Sequence, residues 1–156
     1  MNTVVLPMEE LAEIVKFQLN NGGKAKLKIS GSSMQPMLKS RRDEVVLVPP
    51  DAPRIGDVVL FLRESGAYVF HRIIAIEEGK YICCGDNQAI REPVDREQVV
   101  AIMDGFVRNG KYYSKNAFGY RIYQFIWVKF FFLRPGYIYL RRHLAPWYRR
   151  NKRKKA

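Results

Sequence analysis

Residues 57–76 read DVVLFLRESGAYVFHRIIAI, in which two apolar stretches flank the dipeptide Ser65-Gly66. Stretches rich in valine, isoleucine and aromatic residues favour β-strands, and a serine–glycine pair favours a turn. This part of the sequence therefore predicts two successive strands, at residues 57–63 and 67–76, with a short turn between them.

Four other segments have the same character and predict further strands at residues 25–30, 44–48, 80–84 and 99–107. Turn-forming pairs separate several of these segments, among them Pro49-Pro50, Glu78-Gly79 and Asn109-Gly110. Many short strands with turns at this spacing are typical of a coiled, partly closed antiparallel sheet. We therefore expect a mainly β fold.

The beginning of the chain has the pattern of a helix. Apolar residues recur at helical spacing at Val4, Met8, Leu11 and Val15, and Asn21-Gly22-Gly23 would end the helix. Glutamates interrupt these apolar residues, so no cleavable signal sequence is expected there. We expect the helix to pack on the core of the protein.

Charge is divided unevenly along the chain. Residues 1–104 contain 13 Lys and Arg against 15 Asp and Glu, whereas residues 105–156 contain 14 Lys and Arg and no acidic residue. The whole positive excess therefore lies at the C-terminal end. We expect three parts: an N-terminal helix at residues 1–23, a β-rich domain at 24–114, and a basic, aromatic tail at 115–156.

A serine and a histidine lie in two short motifs. Ser33 belongs to GSSMQPML at residues 31–38, and His71 belongs to YVFHR at residues 68–72; the other histidine, His143, lies in the tail. Because a hydroxyl is a poor nucleophile until a base removes its proton, acyl transfer needs a serine beside a histidine or a neutral lysine. The two residues are therefore candidates for nucleophile and base. The structural alternatives are a serine that only forms a turn and a histidine that only fills the core.

Two more motifs occur in order with these. RIGDVVLF at residues 54–61 stands between the serine and histidine motifs, and Gly85-Asp86-Asn87 follows both. From Leu27 to Val107, this series resembles signal peptidase I of the archaeal and endoplasmic-reticulum type, in which a histidine replaces the lysine base of the usual bacterial enzyme. The resemblance implies that Ser33 is the nucleophile and that His71 is the general base.

The resemblance also implies acidic residues near the histidine. The Gly-Asp-Asn motif supplies Asp86, and a second acid of the family falls at Glu92, where aspartate is usual. Asp95 is a weaker candidate for that second position, and Asp86 could instead only shape a turn. Ser32 and Met34, on either side of the nucleophile, are expected at the substrate and oxyanion site.

The implied activity is that of a serine endopeptidase that cleaves an extended peptide or leader segment after small residues. Such a substrate could add as a strand to an exposed sheet edge. We expect no metal or organic cofactor, because the chemistry needs none. Two alternatives are a self-cleaving repressor-like protein that binds DNA and a noncatalytic, membrane-associated binding module. The repressor-like enzymes use a lysine base, and the base position here is a histidine, which argues against nucleic acid as a partner.

The tail contains the apolar stretch FGYRIYQFIWVKFFFL at residues 118–133. As one helix it would be about 24 Å long, which is shorter than the roughly 30 Å hydrocarbon core of a bilayer. Arg121 and Lys129 interrupt it, and Pro135-Gly136 is expected to break it. We therefore expect attachment to an anionic membrane surface, on the cytoplasmic face. The alternatives are a tail that spans the membrane and a tail helix packed on the β-rich domain or on a partner.

Cys83 and Cys84 are adjacent in the sequence. Neighbouring cysteines suit neither an ordinary disulfide nor a metal site. Because side chains alternate along a strand, we expect one thiol to face inward and the other outward. A reduced, cytosolic setting fits this pair.

Overall fold

The computed structural model describes residues 15–153 of the chain, with side chains described through residue 144. In this part of the chain eight strands form one sheet. They are β1 (Ala25–Lys28), β2 (Asp43–Val48), β3 (Val58–Leu62), β4 (Tyr68–Glu77), β5 (Lys80–Cys84), β6 (Glu92–Val94), β7 (Val99–Arg108) and β8 (Lys111–Ser114).

Every strand pair of the sheet is antiparallel, and the order is β1-β2-β7-β3-β4-β5-β6, with β8 also paired to β7. β7 is the centre of the sheet. It pairs with β2 along one edge, and with β3 and then β8 along the other. The sheet is not closed into a barrel. The prediction of a mainly β, antiparallel fold is confirmed, and the predicted strands correspond to β1–β5 and β7.

The sequence prediction missed two strands. β6 has three residues, Glu92–Val94, with a proline at its centre, and β8 has four polar and aromatic residues, Lys111–Ser114. Segments this short show no alternation of apolar and polar residues, so their strand conformation follows from pairing with β5 and β7.

The N-terminal helix, α1, is described over residues 15–20. Its Val15 and Leu19 are buried in a cluster with apolar side chains of β1, β2, β3 and β7. In these residues the expected helix packs on the core. Val4, Met8 and Leu11 lie outside the described residues.

The two cysteines at the end of β5 enter different apolar clusters. Cys83 packs with Phe61 and Ile73, whereas Cys84 packs with Ile82 in a cluster that Phe131 covers. The alternation is present, but the expectation that one thiol faces outward is wrong, because both are completely buried. Phe131 comes from the C-terminal segment, which covers this part of the sheet. Burial raises the pKa of the Cys83 thiol to about 12.

The C-terminal segment forms two helices, α2 (Phe118–Lys129) and α3 (Arg134–Arg153), joined by a short 3-10 turn at Phe131–Leu133. The expectation of one helix that Pro135-Gly136 breaks is wrong. The break falls earlier, at Phe130, and Pro135 lies in the first turn of α3, where its missing N–H costs no helical hydrogen bond. Over the residues searched, none of the helices has the length and apolar character required to cross a membrane.

Candidate active site

Ser33 lies in the loop between β1 and β2, and a second loop holds it in place. The backbone N–H of Asn87 donates to the Ser33 carbonyl oxygen at 2.7 Å, and the Asn87 side-chain amide donates to the Ser32 carbonyl oxygen at 3.2 Å. Asn87 belongs to the Gly-Asp-Asn motif, which follows β5. The two motifs are therefore in direct contact, although more than fifty residues separate them in the sequence.

His71 lies on β4, where it pairs with Val59 of β3. Its side chain is buried, and it shares one cleft of about 250 Å³ with Ser33. Residues of β1, of the Ser33 loop and of the first half of β4 form most of the rest of the lining, including Leu27, Met34 and Phe70. The fold thus brings the predicted nucleophile and the predicted base to the same cleft.

Gly85 stands where Ser33 and His71 approach each other. A Cβ atom at this position would lie 2.8 Å from the Ser33 carbonyl oxygen and 3.1 Å from Nε2 of His71. It would also lie 2.8 Å from Oε1 of Gln88, a residue that lines the cleft. Nε2 of His71 therefore faces the Ser33 loop. Because Gly85 has no side chain, the Ser33 backbone and the His71 ring can both approach it.

The other ring nitrogen of His71 faces Glu92. Nδ1 lies 3.8 Å from Oε2 of Glu92. This atom is buried, and it makes no hydrogen bond to any described residue. Glu92 in turn accepts two hydrogen bonds from the Arg63 guanidinium, one of them of 2.6 Å. The carboxylate is thus placed beside the ring but is held by Arg63.

Burial of the imidazole sets its charge. It lowers the pKa of His71 to about 4, with Glu92 opposing this effect and Arg63 adding to it. A histidine with such a pKa is neutral near pH 7, so its free nitrogen can accept a proton. This is the protonation state that a general base requires.

Asp86 does not contact the histidine. Its carboxylate accepts two hydrogen bonds of 2.8 Å from the Arg72 guanidinium, and both side chains are completely buried. Asp86 therefore forms an ion pair with the residue next to His71, on the opposite face of β4. The structure brings Glu92, rather than Asp86, to the ring of His71.

The C-terminal helices enclose the Arg72–Asp86 pair, which agrees with the alternative of a tail helix packed on the β-rich domain; the residues that make this contact were not predicted. The Tyr123 hydroxyl donates to Oδ2 of Asp86 at 3.0 Å, and the Trp127 indole N–H donates to the Asp86 carbonyl oxygen at 2.9 Å. Arg134 donates to the Gly85 carbonyl oxygen at 3.1 Å. The spacing of Tyr123 and Trp127 places them on one side of α2, which is the signal that could have revealed this inner face.

The remaining predicted residues lie at different distances from the cleft. Met34 lines it, with its side chain buried in the core, and Ser32 is exposed beside it. Among the described residues, the backbone N–H groups of Ser33 and Met34 donate no hydrogen bond. Asp95 pairs with Lys80 at the far end of β5, whereas the cleft lies near the Cys84 end.

Two strand edges border the cleft. β1 pairs only with β2, and residues 68–71 of β4 pair only with β3, because the pairing with β5 begins at Arg72. Within residues 15–153, no strand occupies the other edge of either segment. An extended peptide between these edges could form backbone hydrogen bonds to both sides of the cleft.

The described residues contain no group of three or more histidine, cysteine or acidic side chains placed to hold a metal ion. A scan of the sequence against protein-family models found no match, and a search of the curated proteins found none.

Proposed function

We propose that the protein is a serine endopeptidase of the signal peptidase I type. The observation that carries this proposal is the shared cleft, in which Ser33 and a neutral, buried His71 lie together although the two residues come from separate parts of the chain. The backbone contact between Asn87 and Ser33 gives the arrangement a fixed geometry. The motif order that resembles signal peptidase I supports the same activity.

In the proposed reaction, His71 accepts the Ser33 hydroxyl proton as the oxygen attacks the carbonyl carbon of the scissile bond. The oxyanion that forms is stabilised by the free backbone N–H groups at Ser33 and Met34. His71 then gives the proton to the leaving amine, and the peptide C–N bond breaks. Water, activated by the same histidine, releases the acyl group from Ser33.

Glu92 supports the charge that His71 acquires during attack. Its Oε2 lies 3.8 Å from Nδ1, and the negative charge raises the pKa of the ring against the effect of burial. A hydrogen bond from Nδ1 of His71 to Glu92 would form if the contact between Glu92 and Arg63 loosened when substrate binds. Asp86 serves the site differently, since it fixes the loop that holds Ser33.

The free edges of β1 and β4 favour an extended peptide as substrate. The resemblance suggests small residues at the first and third positions before the cut. Met34, Leu38 and Phe70 are among the apolar residues that would contact these positions.

One observation weighs against the self-cleaving repressor alternative. None of the described residues that line the cleft is a lysine, so among them the lysine base of those enzymes has no counterpart. Only a measurement of peptidase activity distinguishes the noncatalytic binding module from the proposed enzyme.

A peptide library cut by the purified full chain tests the proposal. New peptide ends are identified by mass spectrometry for the wild type, Ser33→Ala, His71→Ala and the matched control Ser32→Ala. We expect new ends with the wild type and Ser32→Ala, and none above background with the other two. A wild type that produces no new ends, or a Ser33→Ala variant that produces the same ends, would refute an endopeptidase built on Ser33.

A further inference from the structure

The side of α2 that faces away from the sheet is apolar. Its exposed residues recur at helical spacing and are Phe118, Ile122, Phe125 and Ile126, with Phe118 81% exposed. A water-facing helix surface normally carries polar residues, so this stripe is unusual for the outside of a folded protein. The inner side of α2 carries the polar and aromatic contacts of Tyr123 and Trp127 with Asp86.

The apolar stripe continues onto the start of α3. It includes the exposed residues Leu133, at the end of the 3-10 turn, and Tyr137, Leu140 and Leu144 of α3. The two stripes meet at a groove of about 320 Å³, which Ile126 and Phe130 line on one side and Leu133 and Tyr137 on the other. We call the eight residues of the two stripes the outer face.

Positive charge surrounds the outer face. Arg121, Lys129 and Arg142 are exposed on the same helices, and residues 105–156 contain no acidic residue. Clustered cations beside exposed aliphatic and aromatic side chains match the chemistry of an anionic membrane surface, where the apolar groups enter the lipid and the cations bind the headgroups.

We propose that the outer face docks on the surface of a bilayer that contains anionic lipid, with α2 lying in the headgroup layer. A second copy of the chain fits less well, since two such faces would bring like charges together. Duplex nucleic acid fits less well too, because phosphates bind the cations but leave Ile122, Phe125 and Leu140 in water.

Docking would hold the cleft close to the membrane. Arg141 of α3 donates to Oδ1 of Asn87 at 2.9 Å, and the backbone N–H of Asn87 donates to the Ser33 carbonyl oxygen at 2.7 Å. The element that meets the lipid is therefore one residue away from the loop of the proposed nucleophile. A precursor peptide at the same membrane surface would reach the cleft directly.

The test is sedimentation of the full chain with vesicles. The protein carries Ser33→Ala, so the result is independent of peptidase activity. Vesicles of phosphatidylcholine alone are compared with vesicles that also contain phosphatidylglycerol, and Phe118→Ser/Phe125→Ser is compared with the control Phe17→Ser. Phe17 is 71% exposed on α1, outside the outer face.

We expect binding to the anionic vesicles, about tenfold weaker or worse for the Phe118/Phe125 variant, and unchanged for Phe17→Ser. Binding should also weaken with added salt and on neutral vesicles. If circular dichroism shows that the first variant does not fold, a second variant on α3, Leu140→Ser/Leu144→Ser, replaces it. The same loss of vesicle binding is expected. Absence of the parent protein from the vesicle pellet would overturn the proposal. Equal binding by folded outer-face variants, or a preference for duplex DNA over vesicles, would also overturn it.

Discussion

Arg72 and Asp86 form a buried ion pair with two hydrogen bonds of 2.8 Å. The pair lies on the face of β4 opposite the cleft, at the residue after His71. Arg72 also donates to the carbonyl oxygen of Gly56 and to Sδ of Met37, which belongs to the loop that carries Ser33. The pair therefore links β4, the Ser33 loop and the Gly-Asp-Asn motif. These contacts of Asp86 are structural, whereas the family resemblance places this residue in catalysis.

Asp86→Ala should strongly destabilise the fold. Removing one partner leaves the buried charge of Arg72 unpaired, which costs about 3–5 kcal/mol of unfolding free energy. Urea unfolding followed by circular dichroism measures this change. Asp51→Ala, at an exposed carboxylate, is the control and should change stability by less than about 0.5 kcal/mol. An Asp86→Ala protein as stable as the wild type, yet inactive, would restore Asp86 to a catalytic role.

Arg63→Gln should move the acidic limb of the pH–activity profile to higher pH. The pKa of His71 is about 4, and Arg63 lowers it while Glu92 raises it. Loss of the arginine removes a positive charge and frees Glu92 to pair with the ring, so the pKa of His71 rises. Because the base acts in its neutral form, activity is then lost at a higher pH as the solution is acidified.

The measurement is kcat/KM of a cleaved peptide against pH. The wild-type limb should lie near pH 4, the pKa of His71. Arg54→Gln, at an exposed arginine away from the cleft, should leave the limb in place. If the acidic limb of Arg63→Gln is unchanged or moves to lower pH, Arg63 does not lower the pKa of His71.

Gly85→Ala should reduce activity without unfolding the protein. The added methyl group would lie 2.8 Å from the Ser33 carbonyl oxygen and 3.1 Å from Nε2 of His71, so the two loops must separate. A displacement of about 1 Å at reacting groups can cost about 100-fold in rate. Gly119→Ala on α2 is the matched control, because a Cβ there has no neighbour within 4 Å. Near wild-type kcat/KM in Gly85→Ala would show that activity does not require Ser33 and His71 to lie this close to Gly85.

Most of the sheet could be predicted from the sequence because β1–β5 and β7 carry their own apolar composition and are bounded by turns. β6 and β8 could not, since their strand conformation depends on neighbours in the sheet. The same limit applies to the tail. Its aromatic residues indicated an exposed surface, but Tyr123 and Trp127 face Asp86, a partner that only the fold brings near.

The residues of the site could be predicted from the sequence only where the chemistry left few candidates. Ser33 and His71 were the economical pair, and the structure brings both to one cleft. The choice between the two acids could not be made from spacing, because it depends on which face of β4 each acid reaches. Arg72 takes Asp86 on one face, and Glu92 approaches His71 on the other.

The kinetics of single and double substitutions test whether Ser33 and His71 act as one catalytic unit. The kcat/KM of a cleaved peptide is measured for Ser33→Ala, His71→Ala and Ser33→Ala/His71→Ala, with folding checked by circular dichroism. Residues that act together lose activity non-additively, so each single change should cost about as much as the double change. Losses that multiply in the double variant, or near wild-type activity in either folded single variant, would show that Ser33 and His71 do not act as one unit.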